Sequence, residues 1–498
     1  MSNETPAKTS PSAESRAAGL SGPATVNIPV APADLPRRLG VPALVLIVVA
    51  FNAPIATMAG FAQLSVGFGS GVGAPIAFLI AGLILLVFSV GFVAMSRYIR
   101  NPGAFYRFIV AGIGRAPGLA GAFVATAAYI LLEAGSFPYM GLIMVDLMKR
   151  LTGGEVFSWQ IWAVVFVAIV TILGLLRVDL SIKVLGTLVC VEVVVVALWE
   201  AVVFAKGGPG GYSTESFTPT AFLSGNPGVG VLFAMLCMIG IETAACFRSE
   251  TKNPEKAVGR ATYISIAFMA VFYALGVWAY IITQGPTKVV NAALTDPVGS
   301  FFSSVDGYLG GFFLKLTALI LVTSQLAAIN SIQGAASRYL YALGRDRVLS
   351  PKLALVHRRL ESPWVAVLAV NGACLVVLAL IFVFRLDGVA SYAALSGSGI
   401  FFLLPLLIAT SLGVVMFYRR HRDLRPGVWS SVVAPSLAFI SLLVLFVLTA
   451  LNLKVLVGSD GAAIGADIVL AVVAFGGFFL AMRYRRSRPA VYASIGEQ

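Results

Sequence analysis

From residue 40 onward the chain alternates long apolar runs with short polar segments, the runs lying at roughly 40–68, 73–98, 118–148, 159–177, 181–205, 228–248, 257–283, 307–344, 363–384, 388–418, 430–452 and 463–484. About 20 apolar residues cross the roughly 30 Å hydrocarbon core of a bilayer as a helix. The pattern therefore predicts an all-α integral membrane protein with 12 transmembrane helices. Residues 1–36 are rich in Ala, Pro, Ser and Thr and lack a large apolar cluster, which predicts a disordered tail. The first apolar run begins too late and continues too far for a signal peptide, so none is expected.

Two runs are interrupted. Asn52-Ala53-Pro54 breaks the first near its middle, with Gly60 following, because proline lacks a backbone donor and clashes with the preceding turn. In the sixth, Gly240-Ile241-Glu242-Thr243 sets a glycine and a carboxyl group at comparable depth. Runs 1 and 6 are five apart, the separation expected of two inverted repeats of five helices, and matched interruptions point to a transporter site. Ordinary proline and glycine within membrane helices are the competing explanation. On the repeat reading, 40–205 and 228–418 are the two halves, 430–484 adds a helix pair, and 485–498 is a tail.

Composition agrees with the run pattern. The chain of 498 residues is 59% apolar and 11% charged with a mean hydropathy of +0.93, whereas soluble domains carry about 25% charged residues. A net charge of +13 raises the question of nucleic acid. Yet 28 of the 35 Lys and Arg fall in the two ends and in alternate loops, all on one side of the predicted topology. That asymmetry places both termini in the cytoplasm of a multi-pass protein of the cell (plasma or inner) membrane, and it argues against a nucleic-acid partner. Cys190, Cys237, Cys246 and Cys374 lie in apolar runs without CxxC spacing, and His357 and His421 fall in basic loops. Neither a metal site nor a cofactor is expected.

The loop after run 6, Ser249-Glu250-Thr251-Lys252-Asn253-Pro254-Glu255-Lys256, resembles the acidic-x-Lys-Asn-Pro signature of the amino acid-polyamine-organocation (APC) superfamily. Gly240-Ile241-Glu242 stands where that family has Gly-Phe-Glu, and 101–106 is similar to its Gly-Gly-x-Tyr turn. Asn330-Ser331 followed by Ser337-Arg338-Tyr339-Leu340-Tyr341-Ala342-Leu343-Gly344-Arg345-Asp346 resembles its Ser-Arg-x-x-Tyr-Ala-x-x-Arg-Asp pattern. The resemblance covers about 40–420. It implies a five-plus-five inverted-repeat core with discontinuous helices 1 and 6, and spans 1, 3, 6, 8 and 10 around a central site. The first span departs from the family's Gly-x-Gly-like small residues by carrying Asn52-Ala53-Pro54-Ile55-Ala56-Thr57-Met58-Ala59-Gly60.

In that fold, the half-helix after the first break presents free N–H groups whose positive dipole end suits a carboxylate. An amino acid's carboxylate is thus expected against Ile55, Ala56, Thr57, Met58, Ala59 and Gly60. Its ammonium would face carbonyls near Ala53 and across Ile239, Gly240, Ile241 and Glu242. Glu133, Glu192 and Glu242 lie mid-span, where an acid costs roughly 2.5–3.5 kcal/mol on insertion scales and is a functional candidate by default. Aligned on the family, Glu192 stands where proton-coupled relatives carry a lysine, near the cation position of sodium-coupled ones. It is therefore the expected proton carrier, with packing between helices as the alternative. Glu242 either coordinates a substrate amine or caps freed backbone. Glu133, one turn after Tyr129, favours a cationic side chain if it points inward and says nothing if it pairs with a neighbour. Thr323, Ser324, Gln325 and Asn330 either face the cation position or join helices by hydrogen bonds.

No filter repeat, nucleophile motif or GxxxxGK[ST] loop supports a channel, an enzyme or a primary pump. The expectation is a proton-coupled symporter of amino acids, the alternative an exchanger of amino acids or polyamines. Sodium coupling is the weaker option.

Overall fold

The computed structural model describes residues 39–99, 105–154, 156–176, 182–212, 214–357, 360 and 362–496, without the side chains of 182–185, 246, 249 and 250. The expected tail at 1–36 and the turn at 101–104 lie outside the described residues, as do the side chains of Ser249 and Glu250. Regular structure among the described residues is helical, with one isolated bridge between Leu39 and Thr251. Lipid offers no partner to backbone N–H and C=O groups, so a spanning chain satisfies them within helices.

The long helices are α1 (Val41–Phe51), α2 (Ala74–Ser96), α3 (Arg115–Thr152), α4 (Trp159–Leu176), α5 (Ile182–Lys206) and α6 (Pro227–Leu236), followed by α7 (Pro254–Gln284), α8 (Gly311–Arg345), α9 (Trp364–Val383), α10 (Gly388–Arg420), α11 (Ala434–Leu451) and α12 (Asp460–Ser487). Among the described residues, 10 helical stretches are long and apolar enough to cross a membrane. They are fewer than the 12 apolar runs because Val41–Ser96 counts as one stretch, although Gly69 and Gly71 leave helical geometry within it, and because α6 has only 10 residues. The eighth run differs from its expected start at 307: Pro297–Leu309 forms a separate helix, and Gly310 at φ 85° turns the chain into α8.

Burial separates centre from rim. The most apolar windows of α3 and α10 are 72% buried, those of α4 and α12 only 22% and 11%. α3 and α10 approach closely because a Cβ on Gly399 would lie 2.7 Å from Leu132, the small-residue contact that lets helices pack without a hydrophobic drive in lipid. At the end rich in Lys and Arg, the Lys252 N–H donates to the Leu39 carbonyl at 2.8 Å, and Arg97 pairs with Glu255 at 3.3 Å. The segment after α12, expected as a tail, instead folds into a short helix, Pro489–Ser494, that docks on Asp346. The Ser494 hydroxyl donates to its carbonyl and the Gly496 N–H to its carboxylate, each at 3.3 Å.

Candidate functional site

The first interruption is written by local chemistry. α1 ends at Asn52, Ala53 takes the left-handed conformation at φ 47°, and Pro54 restarts the chain as helix. Proline excludes its predecessor from the right-handed helical region and is itself suited to the first position of a new helix. The following stretch, 54–70, contains two widened π-helical turns, Thr57–Phe61 and Ser65–Ser70, a form concentrated at functional sites. Side chains satisfy several of its carbonyls. Tyr139 of α3 donates to Ala56 O at 2.7 Å, Tyr392 of α10 to Gly60 O at 3.4 Å, and Gln63 to Met58 O. The Thr57 hydroxyl donates to Asn52 O at 2.6 Å, across the break. Gly60 is required there, because a Cβ would lie 2.3 Å from the Tyr139 ring.

The freed N–H of Ile55 donates to Glu192 Oε2 of α5 at 3.2 Å, and Glu192 is 2% exposed. The carboxyl group expected to carry a proton therefore sits on the N–H end expected to receive a substrate carboxylate. Ser324 of α8 lies beside the same carboxyl.

The second interruption has a different origin. α6 ends at Leu236, and helix resumes only at Thr243–Cys246. Gly240 between them adopts φ 89°, and a Cβ on it would meet the Phe51 ring at 2.2 Å, so the two breaks pack on each other. The Thr243 hydroxyl donates to Gly240 O at 2.6 Å, and Glu242 accepts from the Tyr129 hydroxyl at 2.9 Å. The Glu242 carboxyl also lies against the backbone of Gly240 and of its own residue, so it ties the freed backbone of this break to the phenol of α3.

A cavity of about 40 Å³ lies between the breaks and α3, α8 and α10. Phe51, Asn52, Thr57 and Phe61 line it from the first segment, Leu236, Cys237 and Ile239 from the sixth. Leu132 and Ser136 face it from α3, Gln325, Ala328 and Ile332 from α8, and Ser396 from α10. Of the residues singled out in the sequence, Thr57, Ile239 and Gln325 line this cavity, and Glu192 reaches Ile55, two residues before Thr57. Ala53, Ala56, Met58, Ala59, Gly60, Gly240 and Ile241 belong to the two broken segments but are not among its lining residues, and Tyr129 and Glu242 pair with each other outside that lining.

Glu133 is not brought to the cavity. It is fully buried with neither carboxyl oxygen hydrogen bonded, and it lies near Cys374 of α9. The physical reason is helical phase: Leu132 and Ser136 are a turn apart on the cavity side, and residue 133 is rotated by about 100° from residue 132. Sequence reading missed Tyr139 and Ser136, although 129, 132, 136 and 139 follow the spacing of one helix face. It also missed Glu200 of α5, 6% exposed, whose Oε1 lacks a partner and would lie 2.9 Å from a Cβ on Gly276.

The family model described as amino acid permease matches residues 43–478. Among solved structures, a mutant of the Eremococcus coleocola manganese transporter is similar at 13% identity, over 90% of this chain and 95% of that one, with a TM-score of 0.47.

Proposed function

Because the chain belongs to the amino acid permease family, and is thus a transporter and not an enzyme, we propose that it moves amino acids by proton-coupled symport through alternating access. The observation that carries the coupling is the 3.2 Å hydrogen bond from Ile55 N–H to the Glu192 carboxyl. A helix start favours one anion there, and two carboxylates competing for it repel each other. A proton on Glu192 removes its charge and frees the N–H for the substrate carboxylate. Proton and substrate then bind each other's form of the protein preferentially, which is thermodynamic linkage.

In this reading the substrate carboxylate meets the backbone of Ile55 to Gly60. The ammonium meets carbonyls at Ala53 and across the second break from Ile239 to Glu242, and Tyr129 holds that break to α3 through Glu242. Matched interruptions in the first and sixth segments support a five-plus-five repeat. Counting 41–70 and α2 separately, and the sixth segment as one broken span, gives twelve spans. The basic residues concentrated in alternate connecting segments of the sequence, Arg97, Arg248, Lys252 and Arg345 among them, support cytoplasmic termini in the cell membrane.

The test is uptake of radiolabelled amino acids and polyamines by proteoliposomes under an inward proton gradient. Accumulation of an α-amino acid above equilibrium, abolished by a protonophore, is expected. Exchange without net accumulation would make the protein an antiporter, and accumulation of polyamines alone would remove the carboxylate site from the account.

A further inference from the structure

The cavity between the two breaks has an uneven chemistry. No Asp, Glu, Lys, Arg or His side chain lines it among the described residues. Three buried acids are engaged elsewhere or turned away from it: Glu192 on Ile55 N–H, Glu242 on the Tyr129 hydroxyl, Glu133 toward Cys374. A cationic or anionic side chain entering this space would lose its hydration without meeting a counter-charge, at a penalty of several kcal/mol per ion.

Two polar side chains that do line it are left without partners. Gln325 of α8 is 1% exposed and neither its amide oxygen nor its amide nitrogen is hydrogen bonded. Ser396 of α10 is likewise 1% exposed with a free hydroxyl. Buried polar groups are nearly always paired, and each orphan costs about 1–3 kcal/mol. Both lie on the same cavity, so their partners are water or a ligand that enters it and displaces that water. An aliphatic side chain would leave both orphaned.

The donor and acceptor inventory defines that partner. A glutamine amide offers two donors and an acceptor, and a serine hydroxyl one donor with acceptor capacity. The complementary uncharged groups are a hydroxyl or a carboxamide. Size narrows the class further, since about 40 Å³ holds roughly three waters at 10–15 Å³ each. Apolar side chains, Phe51, Phe61 and Ile332 among them, share the rest of the lining with Asn52, Thr57 and Ser136.

We propose that this site selects small neutral amino acids whose side chain carries a hydroxyl or a carboxamide, with Gln325 and Ser396 as the specificity-determining residues. The inference rests on the amino acid transport reading above and adds the substrate class to it.

Equilibrium binding to the purified full-length protein tests it, with L-serine, L-threonine and L-asparagine against L-alanine, L-valine, L-lysine, L-glutamate and putrescine. The polar neutral trio is expected to bind about tenfold or more tighter than alanine and valine, as a site built to hydrogen-bond a substrate rejects analogues lacking the group. The charged ligands are expected to be weaker still. Gln325→Leu should erase the preference for asparagine over alanine. Ser396→Ala should narrow the gap between serine and alanine. The wild-type ranking decides the question even where a variant does not fold. Alanine or valine binding as tightly as serine, or lysine binding best, overturns this inference alone, whereas putrescine binding best also removes the carboxylate site. Failure of every amino acid in the panel to bind overturns the transport reading and this inference with it.

Discussion

The two helix breaks do the same geometric job by opposite means. At Ala53 and Pro54 the sequence itself forbids a continuous helix, and residues from three other helices then occupy the exposed backbone: Tyr139 of α3, Glu192 of α5 and Tyr392 of α10. At Gly240 nothing forbids a helix except a conformation that only glycine takes easily. That break is held from within by Thr243, from α3 by Tyr129 and from the first segment by the Phe51 ring. The first break is therefore locally encoded and hydrogen bonded by side chains of three other helices, while the second depends on packing.

That contrast can be attacked in order of expected damage. Gly240→Ala should be the most severe, since it combines backbone strain with a Cβ 2.2 Å from Phe51. Strain and overpacking of about 1–3 kcal/mol each predict a large fall in thermal stability in detergent, and a variant as stable as wild type would remove the packing argument. Tyr139→Phe should be next, because it leaves the buried Ala56 carbonyl without its 2.7 Å donor. A loss of roughly 1–3 kcal/mol is expected, read as reduced stability and weaker substrate binding together. Thr243→Val should be mildest, at about 1 kcal/mol, because the hydroxyl it removes spans only a local turn. If Thr243→Val proved more damaging than Tyr139→Phe, the second break would be the one that depends more on its side-chain hydrogen bond.

How far the sequence reveals this arrangement follows the same division. Pro54 and Gly240 act through their own backbone, so both breaks are legible as interruptions of apolar runs. The class and the helical architecture are legible because lipid leaves a spanning chain few alternatives. Helix phase is not legible. Tyr129 and Glu133 share a face by spacing, yet the cavity wall follows Leu132 and Ser136, and a rotation of about 100° per residue turns Glu133 toward α9. Glu192 stands out in the sequence as a mid-span acid, but its partner, a backbone N–H 137 positions away, is set by tertiary packing alone. Glu200 escapes notice because it lies near the end of its apolar run, where a carboxyl group reads as solvated. The docked segment after α12 resembles a tail because its six helical residues are too short to announce themselves; Asp346 and the turn beside it supply what holds them.

The central claim is that one carboxyl group and one substrate compete for the Ile55 N–H. Its most direct test is the affinity of wild type and Glu192→Gln for the best-transported amino acid, measured between about pH 5 and pH 8. Proton occupancy of Glu192 should be required for tight binding, so wild-type affinity should rise as pH falls. The glutamine variant, permanently uncharged, should bind with an affinity that does not follow pH, and should exchange substrate without being driven by a proton gradient. Wild-type affinity independent of pH, or a Glu192→Gln variant that keeps the full pH dependence, would contradict the account.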